Sequence, residues 1–344
     1  MPALKAQWQF VKVHGFELPE YPRGLAFSPD GKHLAMGAAD GSVAIVEVNS
    51  GAVTGKTKLP DEVASVAWSP IDARLAVACH DGAAHLLSVE ATAVASLSGS
   101  TRGWVERVAW SVDGTLAMSS GKQVRLWQRD LTPLLETQNH ESTVTGLCWG
   151  RTGQTLYTSC YGGVRRWSLN ERAESKRFEW KGSLISLAVS PDEAIVAAGS
   201  QDCSVHFWRV ATGKDSEMTG YPSKPDQLAW SADSKLLATS GANVICVWNF
   251  AGRGPEGKPP MQLEGHDALV TGLAFLSDGF LASGSEDGAL MLWSPAQSTH
   301  PLSTMSDSEH GAVCELAASG VGDVATASSS GLVTVWRAER KTLR

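Results

Sequence analysis

The sequence lacks three features that would each assign it to a particular class of protein. It has no apolar run of about 18 residues or more, so no segment is expected to span a membrane. Its first residues, MPALKAQWQFVKV, do not follow the charged and then apolar order of a secretory signal. Basic residues are fewer than acidic ones, 29 against 36, and form no dense run, whereas nucleic acids are bound mainly by basic side chains. We therefore expect a cytoplasmic protein whose main partner is neither a membrane nor a nucleic acid.

Cysteine is sparse, and the six copies lack the spacing of a zinc site or of a disulfide framework. Several lie in apolar runs such as VTGLCWG and NVICVWN, which indicates buried, reduced thiols. The consecutive residues Cys79, His80 and Asp81 offer metal-ligand atoms, but neighbours on an extended chain point to opposite sides. The sequence therefore predicts no metal site, no cofactor and a reducing compartment.

The chain instead contains a repeat of about forty residues. Eight segments align on an apolar run followed by a turn: RGLAFSPDG (23–31), ASVAWSPID (64–72), ERVAWSVDG (106–114), TGLCWGRTG (145–153), ISLAVSPDE (185–193), DQLAWSADS (226–234), TGLAFLSDG (271–279) and CELAASGVG (314–322). A short strand rich in Ala, Ser and Gly follows each segment, and then come a tight turn and a strand that usually ends on tryptophan. The apolar positions are consecutive, which is typical of strands covered on both faces. Such units are expected to stack radially.

The repeats predict an all-β fold, a single β-propeller domain of eight four-stranded blades over residues 1–344. The expected blades cover residues 23–62, 63–104, 105–143, 144–183, 184–224, 225–269, 270–312 and 313–344. Only seven polar outer segments lie between the eight inner sets of strands. We therefore predict that the N-terminal strand, QWQFVKV (7–13), completes the eighth blade and closes the ring. Closure of this kind removes exposed sheet edges.

The marks of the repeat resemble those of the WD-repeat (WD40-like) family over essentially the whole chain. The best match is LEGHDALVTGLAFLSDGFLASGSEDGALMLW (263–293). Elsewhere the marks weaken, and Ser, Gln, Arg or Asn replaces the aspartate that follows the tryptophan in the family. The resemblance implies a propeller but does not by itself imply an activity.

The best-matched repeat contains a histidine, a serine and an aspartate that together suggest a hydrolytic triad. In WD-repeat proteins, residues of these types hydrogen-bond across one blade with a tryptophan. The resemblance therefore implies that His266, Ser283, Asp287 and Trp293 form a structural tetrad. A catalytic serine would need exposure, an oxyanion hole and a cleft, and no GxSxG segment is present. We therefore predict no catalytic residue.

Partner binding is expected on the loops at the mouth of the central channel. One residue of each repeat comes just before the inner strand: Tyr21, Glu62, Trp104, Thr143, Ser183, Lys224, Leu269 and Ala312. Trp104 lies close to Arg102 and Arg107, a composition typical of an interface hot spot, although packing against the adjacent loop is an alternative. The predicted partner-binding set is Tyr21, Glu62, His80, Arg102, Trp104, Tyr161, Lys224 and Leu269.

We predict a non-enzymatic scaffold that binds a protein or peptide partner, either as a monomeric fold or within a larger complex. One alternative is a cofactor-dependent enzyme in the channel. The inner strands offer Arg107, Gln227 and Glu315 there, without a recognisable set of ligands. The other alternative is a reader of modified peptides that uses Tyr21 and Trp104.

Overall fold

The strands form eight antiparallel sheets arranged around a channel, in a computed structural model that describes residues 6–99, 103–306 and 311–342. Every regular element in these ranges is a strand, and consecutive strands pair side by side within each blade. Among the described residues, no helix has the length and the apolar character needed to cross a membrane.

Each blade runs from an innermost strand at the channel to an outermost strand at the rim, and the strands are numbered β1 to β31 along the chain. The innermost strands are β2 (Pro22–Phe27), β6 (Val63–Trp68), β10 (Val105–Trp110), β14 (Gly146–Trp149), β17 (Ala188–Val189), β21 (Leu228–Trp230), β25 (Val270–Phe275) and β29 (Val313–Ala318). The second strands are β3 (His33–Ala38), β7 (Leu75–Cys79), β11 (Leu116–Ser120), β18 (Ile195–Gly199), β22 (Leu236–Thr239), β26 (Leu281–Ser285) and β30 (Asp323–Ser328). The third strands are β4 (Ser42–Glu47), β8 (Ala83–Leu87), β12 (Gln123–Trp127), β19 (Val205–Arg209), β23 (Ile245–Asn249), β27 (Ala289–Trp293) and β31 (Leu332–Thr342). The outermost strands are β5 (Val53–Lys58), β9 (Ala93–Ser98), β13 (Pro133–Glu136), β16 (Ala173–Ser183), β20 (Asp215–Met218), β24 (Met261–Leu263), β28 (Ser303–Ser306) and β1 (Ala6–Glu17).

Blade 4 fills its second and third positions with one long strand, β15 (Thr155–Ser168). The strand bends back at Gly162 and Gly163, whose φ angles of 96° and 125° lie in the region that glycine adopts without strain. The two arms of the strand therefore pair as a hairpin, and the N–H of Leu169 donates to the carbonyl of Gln154 at 3.0 Å. Blade 4 is therefore four-stranded like the others.

The core of the molecule lies between neighbouring blades. Val43 and Ile45 of blade 1 pack against Leu75 and Val77 of blade 2, and similar layers recur around the ring. The second strands are buried over nearly their whole length, because each is covered by a blade on either side. Small residues permit this close approach: a Cβ atom at Gly199 would overlap the carbonyl oxygen of Pro225 in the next blade.

Indole groups at the ends of inner strands link consecutive blades by hydrogen bonds. The Nε1–H of Trp68 donates to the carbonyl oxygen of Ala26 at 3.0 Å. Trp110 and Trp149 donate in the same way to Ala67 and Ala109, at 3.1 and 3.0 Å. In blades 2, 3 and 4 the repeat of about forty residues thus places a tryptophan against the inner strand of the blade before it.

The N-terminal strand β1 closes the ring by pairing antiparallel with β31, from Ala6 opposite Thr342 to Glu17 opposite Leu332. Phe10 is buried in a cluster with Leu290 and Trp336, so the strand also packs against blade 7. The prediction of an eight-bladed propeller closed by the N-terminal strand is confirmed. The strand is longer than the predicted 7–13, because it continues past a bulge between Lys12 and His14.

Candidate functional site

The loops before the inner strands contact the turns that follow the second strands, and these contacts define the channel mouth. Backbone carbonyls of the loops accept N–H bonds of 2.8–2.9 Å from the turns in five blades: Tyr21 from Ala39, Glu62 from His80, Ser183 from Gln201, Leu269 from Glu286, and Ala312 from Ser329. Tyr21, Glu62 and Leu269 therefore occupy equivalent positions at the mouth. Lys224 is exposed in the loop before β21, and Arg102 lies outside the described residues.

Trp104 stands in the loop before β10 with 63% of its surface exposed. Its indole stacks on the ring of His80, with ring centroids 5.0 Å apart and planes inclined by 21°. The tryptophan is therefore accessible to a partner on one ring face and packed against His80 on the other. An aromatic side chain that is held in place loses little conformational freedom when a partner covers it.

His80, beneath the indole, is flanked by two carboxylates. Its Nδ1 lies 3.5 Å from Glu62 and its Nε2 lies 3.7 Å from Glu106. Glu62 also pairs with Arg23, whose Nε is 2.6 Å away. Four side chains from three blades thus hold one another in the position that supports Trp104.

A cavity of about 420 Å³ opens beside this cluster, between the inner strands of blades 8, 1, 2 and 3. It is lined by charged groups of both signs, including Arg23, Glu62, Arg107 and Glu315. Burial raises the pKa of the Glu315 carboxyl, while the nearby Arg107 and Arg23 act in the opposite direction. The cavity suits a polar or charged side chain better than an apolar cofactor.

Two further aromatic residues of the predicted set lie on this face. Tyr21 is 42% exposed, and the guanidinium of Arg23 lies 5.5 Å from the centre of its ring. Tyr161 is 51% exposed at the bend of β15 and borders a shallow depression with Trp180 and Lys181. Because Arg23 already lies over Tyr21, that ring is less available to a cation from another molecule.

The residues that suggest a triad form a buried chain of hydrogen bonds in blade 7. The Nε1–H of Trp293 donates to Ser283 Oγ at 2.8 Å, and this hydroxyl lies 2.7 Å from His266 Nε2. His266 Nδ1 lies 3.4 Å from a carboxylate oxygen of Asp287, which also accepts the N–H of Asp267 at 2.8 Å. Ser283 is fully buried, so it has no access to a substrate.

Electrostatics at this tetrad favour a neutral imidazole next to an ionised carboxylate. Burial lowers the pKa of His266, and the charge of Asp287 opposes this effect only in part. Burial acts to raise the pKa of Asp287, but the N–H groups of Ala289 and Asp267 bring it below its ordinary value. Each polar group has a partner, as a buried network requires in order to stabilise the fold.

Three other blades contain variants of the same hydrogen-bond network. In blade 4 Trp167 donates to Thr158 at 3.0 Å, and this hydroxyl lies 2.8 Å from His140 Nε2. In blade 8 Trp336 donates to Thr326 at 2.9 Å, and the expected histidine, His310, lies outside the described residues.

Blade 6 has a tyrosine where blades 4 and 7 have histidine, a residue that was not predicted from the sequence. Trp248 donates to the Tyr221 hydroxyl at 2.8 Å, and this hydroxyl lies 2.8 Å from Thr239 Oγ1. Tyr221 precedes Thr239 by 18 residues, the same separation as that between His140 and Thr158. That spacing was the signal available in the sequence.

The histidine of blade 4 predicts a pH dependence of stability. The pKa of His140 is lowered to about 4, mainly because burial disfavours the charged imidazole, although its hydrogen bond to the Lys122 carbonyl opposes this. An unfolded histidine has a pKa of about 6.5, so the stability that neutral His140 contributes is complete above that pH and is lost as the pH falls toward 4. We expect this residue to remove about 2 kcal/mol of the free energy of unfolding between pH 7 and pH 5.

Urea unfolding at pH 7 and pH 5 measures this loss. The variant His140→Gln keeps a neutral hydrogen-bonding group and should show a smaller decrease in stability between the two values of pH. If the wild-type protein and the variant lose the same free energy between pH 7 and pH 5, His140 is not the group that titrates.

A model of the family described as "WD domain, G-beta repeat" matches residues 13–46, 91–128, 131–168, 175–209 and 257–294, which together make up more than half of the chain. The chain is 27% identical over 225 residues to Protein FIZZY-RELATED 2 of Arabidopsis thaliana, a match that covers 62% of the chain and 45% of that protein. It is 25% identical over 197 residues to Anaphase-promoting complex subunit cdc20 of Dictyostelium discoideum, covering 54% of the chain and 39% of that protein. The chain thus spans less than half the length of these curated relatives.

The fold is also similar to that of a solved structure. The crystal structure of the computationally designed Ika8 protein superposes with a TM-score of 0.79 and 21% identity, over 97% of this chain and 100% of that one. The repeat period, the blade architecture and the family match agree with one another. The chain belongs to the family of WD domain, G-beta repeat (WD40) proteins.

Proposed function

We propose that the protein is a non-enzymatic scaffold that binds a protein or peptide segment on the face at the channel mouth, with Trp104 as its main contact. The observation that carries this proposal is an indole that is 63% exposed and is stacked on His80. Tryptophan is among the residues enriched at interface hot spots. The charged cavity beside it offers groups of both signs for polar contacts around an aromatic centre.

The names of the relatives support a protein as the partner. One of them is called a subunit of the anaphase-promoting complex, so that protein is part of an assembly. We therefore extend to this chain a role as an adaptor that holds other proteins together. The anaphase-promoting complex is one candidate partner, and the mouth residues Tyr21, Glu62, His80, Tyr161, Lys224 and Leu269 are candidates for its contacts.

The alternatives receive less support from the contacts at the mouth. The carboxylate of Glu62 pairs with Arg23, and both Glu62 and Glu106 flank the ring of His80, so these carboxylates already have charged or imidazole neighbours at the mouth. An aromatic reader of cationic groups needs open ring faces, and Arg23 lies over the ring of Tyr21.

Replacing the exposed tryptophan tests the proposal. A Trp104→Ala variant is expected to lose at least about tenfold in affinity, because hot-spot tryptophans contribute about 2 kcal/mol or more. The measurement is quantitative co-purification from the native host, followed by titration of the recovered partner against both proteins. The fold should persist, since the side chain is largely outside the core.

The matched control is Val112→Ala. Val112 is 58% exposed at the other end of β10, in the turn on the opposite face of the same blade. Its replacement should leave partner recovery unchanged. Equal recovery with Trp104→Ala and the wild-type protein would show that the partner does not contact the mouth, and a loss confined to Val112→Ala would place the site on the opposite face.

A further inference from the structure

Three side chains with metal-ligand atoms meet at the turn between the second and third strands of blade 2. They are Cys79 at the end of β7, Asp81 in the turn, and His85 in β8. Their sulfur, carboxylate and imidazole atoms all lie within 4.8 Å of one another, and Asp81 Oδ2 is 2.8 Å from His85 Nε2. This cluster is separate from the cavity at the mouth, whose lining contains none of the three.

The hairpin explains how these residues come together. His80, at the start of the turn, points toward Glu62 and Trp104, whereas Cys79 and Asp81 lie on the side of His85. Gly82, at a φ of 90°, then turns the chain so that His85 returns beside Asp81. The run of consecutive residues Cys79, His80 and Asp81 points to His80 as the imidazole, but the imidazole in the cluster is that of His85 on the following strand.

The equivalent turns in blades 1 and 7 do not contain this combination. In blade 1 the turn residue Asp40 bonds Ser42 and Lys58, and in blade 7 Asp287 contacts His266 from the preceding loop. At the position of Cys79 these blades have Ala38 and Ser285. The propeller can therefore form this turn without a thiol and an imidazole.

The three donor types are those that proteins use to bind zinc. In a tetrahedral site with ordinary zinc–ligand bond lengths, neighbouring ligand atoms are about 3.3–3.8 Å apart, so the cluster needs shifts of about 1 Å. Cys79 is buried, whereas the side chains of Asp81 and His85 are 19% and 16% exposed, which leaves a route for an ion from solvent.

We propose that Cys79, Asp81 and His85 bind one zinc ion, with a water molecule as the fourth ligand. The thiol of Cys79 releases its proton to solvent as the zinc–sulfur bond forms, and Asp81 and His85 exchange their mutual hydrogen bond for bonds to the metal. The ion would cross-link β7 and β8 at the turn that carries His80, and so stabilise the residue on which Trp104 stacks. The site does not depend on the identity of any protein partner.

Metal titration of the purified full chain, first treated with a chelator, tests the site. Isothermal titration with Zn²⁺ should give one ion per chain. Co²⁺ in place of zinc should produce a thiolate-to-cobalt charge-transfer band, which reports a sulfur ligand directly. The melting temperature should rise when zinc is added, because the metal binds the folded state.

Two ligand variants and one control distinguish this site from others. Cys79→Ala should abolish the charge-transfer band, and His85→Gln should weaken zinc binding at least tenfold while the protein stays folded, because His85 is partly exposed. The control Cys246→Ala removes a half-buried thiol that is not part of the cluster, and it should bind zinc like the wild-type protein. Absence of saturable binding in the wild-type chain would overturn the proposal, as would binding that is unchanged in His85→Gln.

Discussion

Deletion of residues 6–17 is expected to lower the free energy of unfolding by at least about 5 kcal/mol, enough to unfold much of a protein of ordinary stability. Loss of the buried Phe10 side chain alone corresponds to about 3–5 kcal/mol. The deletion also removes the antiparallel pairing with β31 and the edge-to-face contact of Trp8 with Phe280, whose centroids are 4.7 Å apart. Thermal and urea unfolding followed by tryptophan fluorescence measures the effect.

Two comparisons separate loss of ring closure from loss of a surface strand. A peptide of residues 6–17 added in trans should raise the melting temperature of the deleted chain, because it can pair with the exposed edge of β31. The substitution Val53→Ala changes an exposed residue of the outermost strand β5 and should alter stability by about 0.5 kcal/mol or less. A deleted chain that melts at the wild-type temperature would refute closure by β1.

The architecture was predictable because each repeat contains the sequence pattern of one blade. Each unit contains its own turns and its own apolar strands, so a count of units gives a count of blades. The extension of β1 past His14 was not predictable in the same way. It depends on pairing with Leu332–Thr342 at the far end of the chain, and a bulge interrupts the pattern.

Prediction of the site was less complete for a physical reason. The loop that carries Trp104 could be identified from its position before an inner strand, but its support comes from His80, Glu62 and Arg23 in other repeats. Distances between side chains of different blades depend on how closely the sheets pack, and no single repeat contains that information. Contacts within one hairpin, such as that between Asp81 and His85, were within reach of the sequence.

A Ser283→Ala variant is expected to lose about 2–4 kcal/mol of the free energy of unfolding. The serine hydroxyl accepts the indole N–H of Trp293 and contacts His266, and both partners are buried. Alanine would leave the indole donor and the imidazole nitrogen without partners, at a cost of about 1–3 kcal/mol for each buried group. Urea unfolding at pH 7 measures the loss.

The conservative variant Ser283→Thr decides whether the hydroxyl is responsible. Threonine occupies the equivalent position in three other blades. Thr158 and Thr326 accept the tryptophan N–H directly, and Thr239 contacts the tyrosine hydroxyl that accepts it. Threonine at position 283 should therefore retain most of the stability that alanine loses. A structural hydroxyl predicts this order of stabilities and no change in reactivity toward serine-directed fluorophosphonates, which cannot reach a fully buried side chain. Labelling of Ser283 in the folded protein would contradict a structural tetrad, and so would equal stability of Ser283→Ala and the wild-type protein. A hydroxyl that bridges two buried rings is neither free to react nor dispensable for folding.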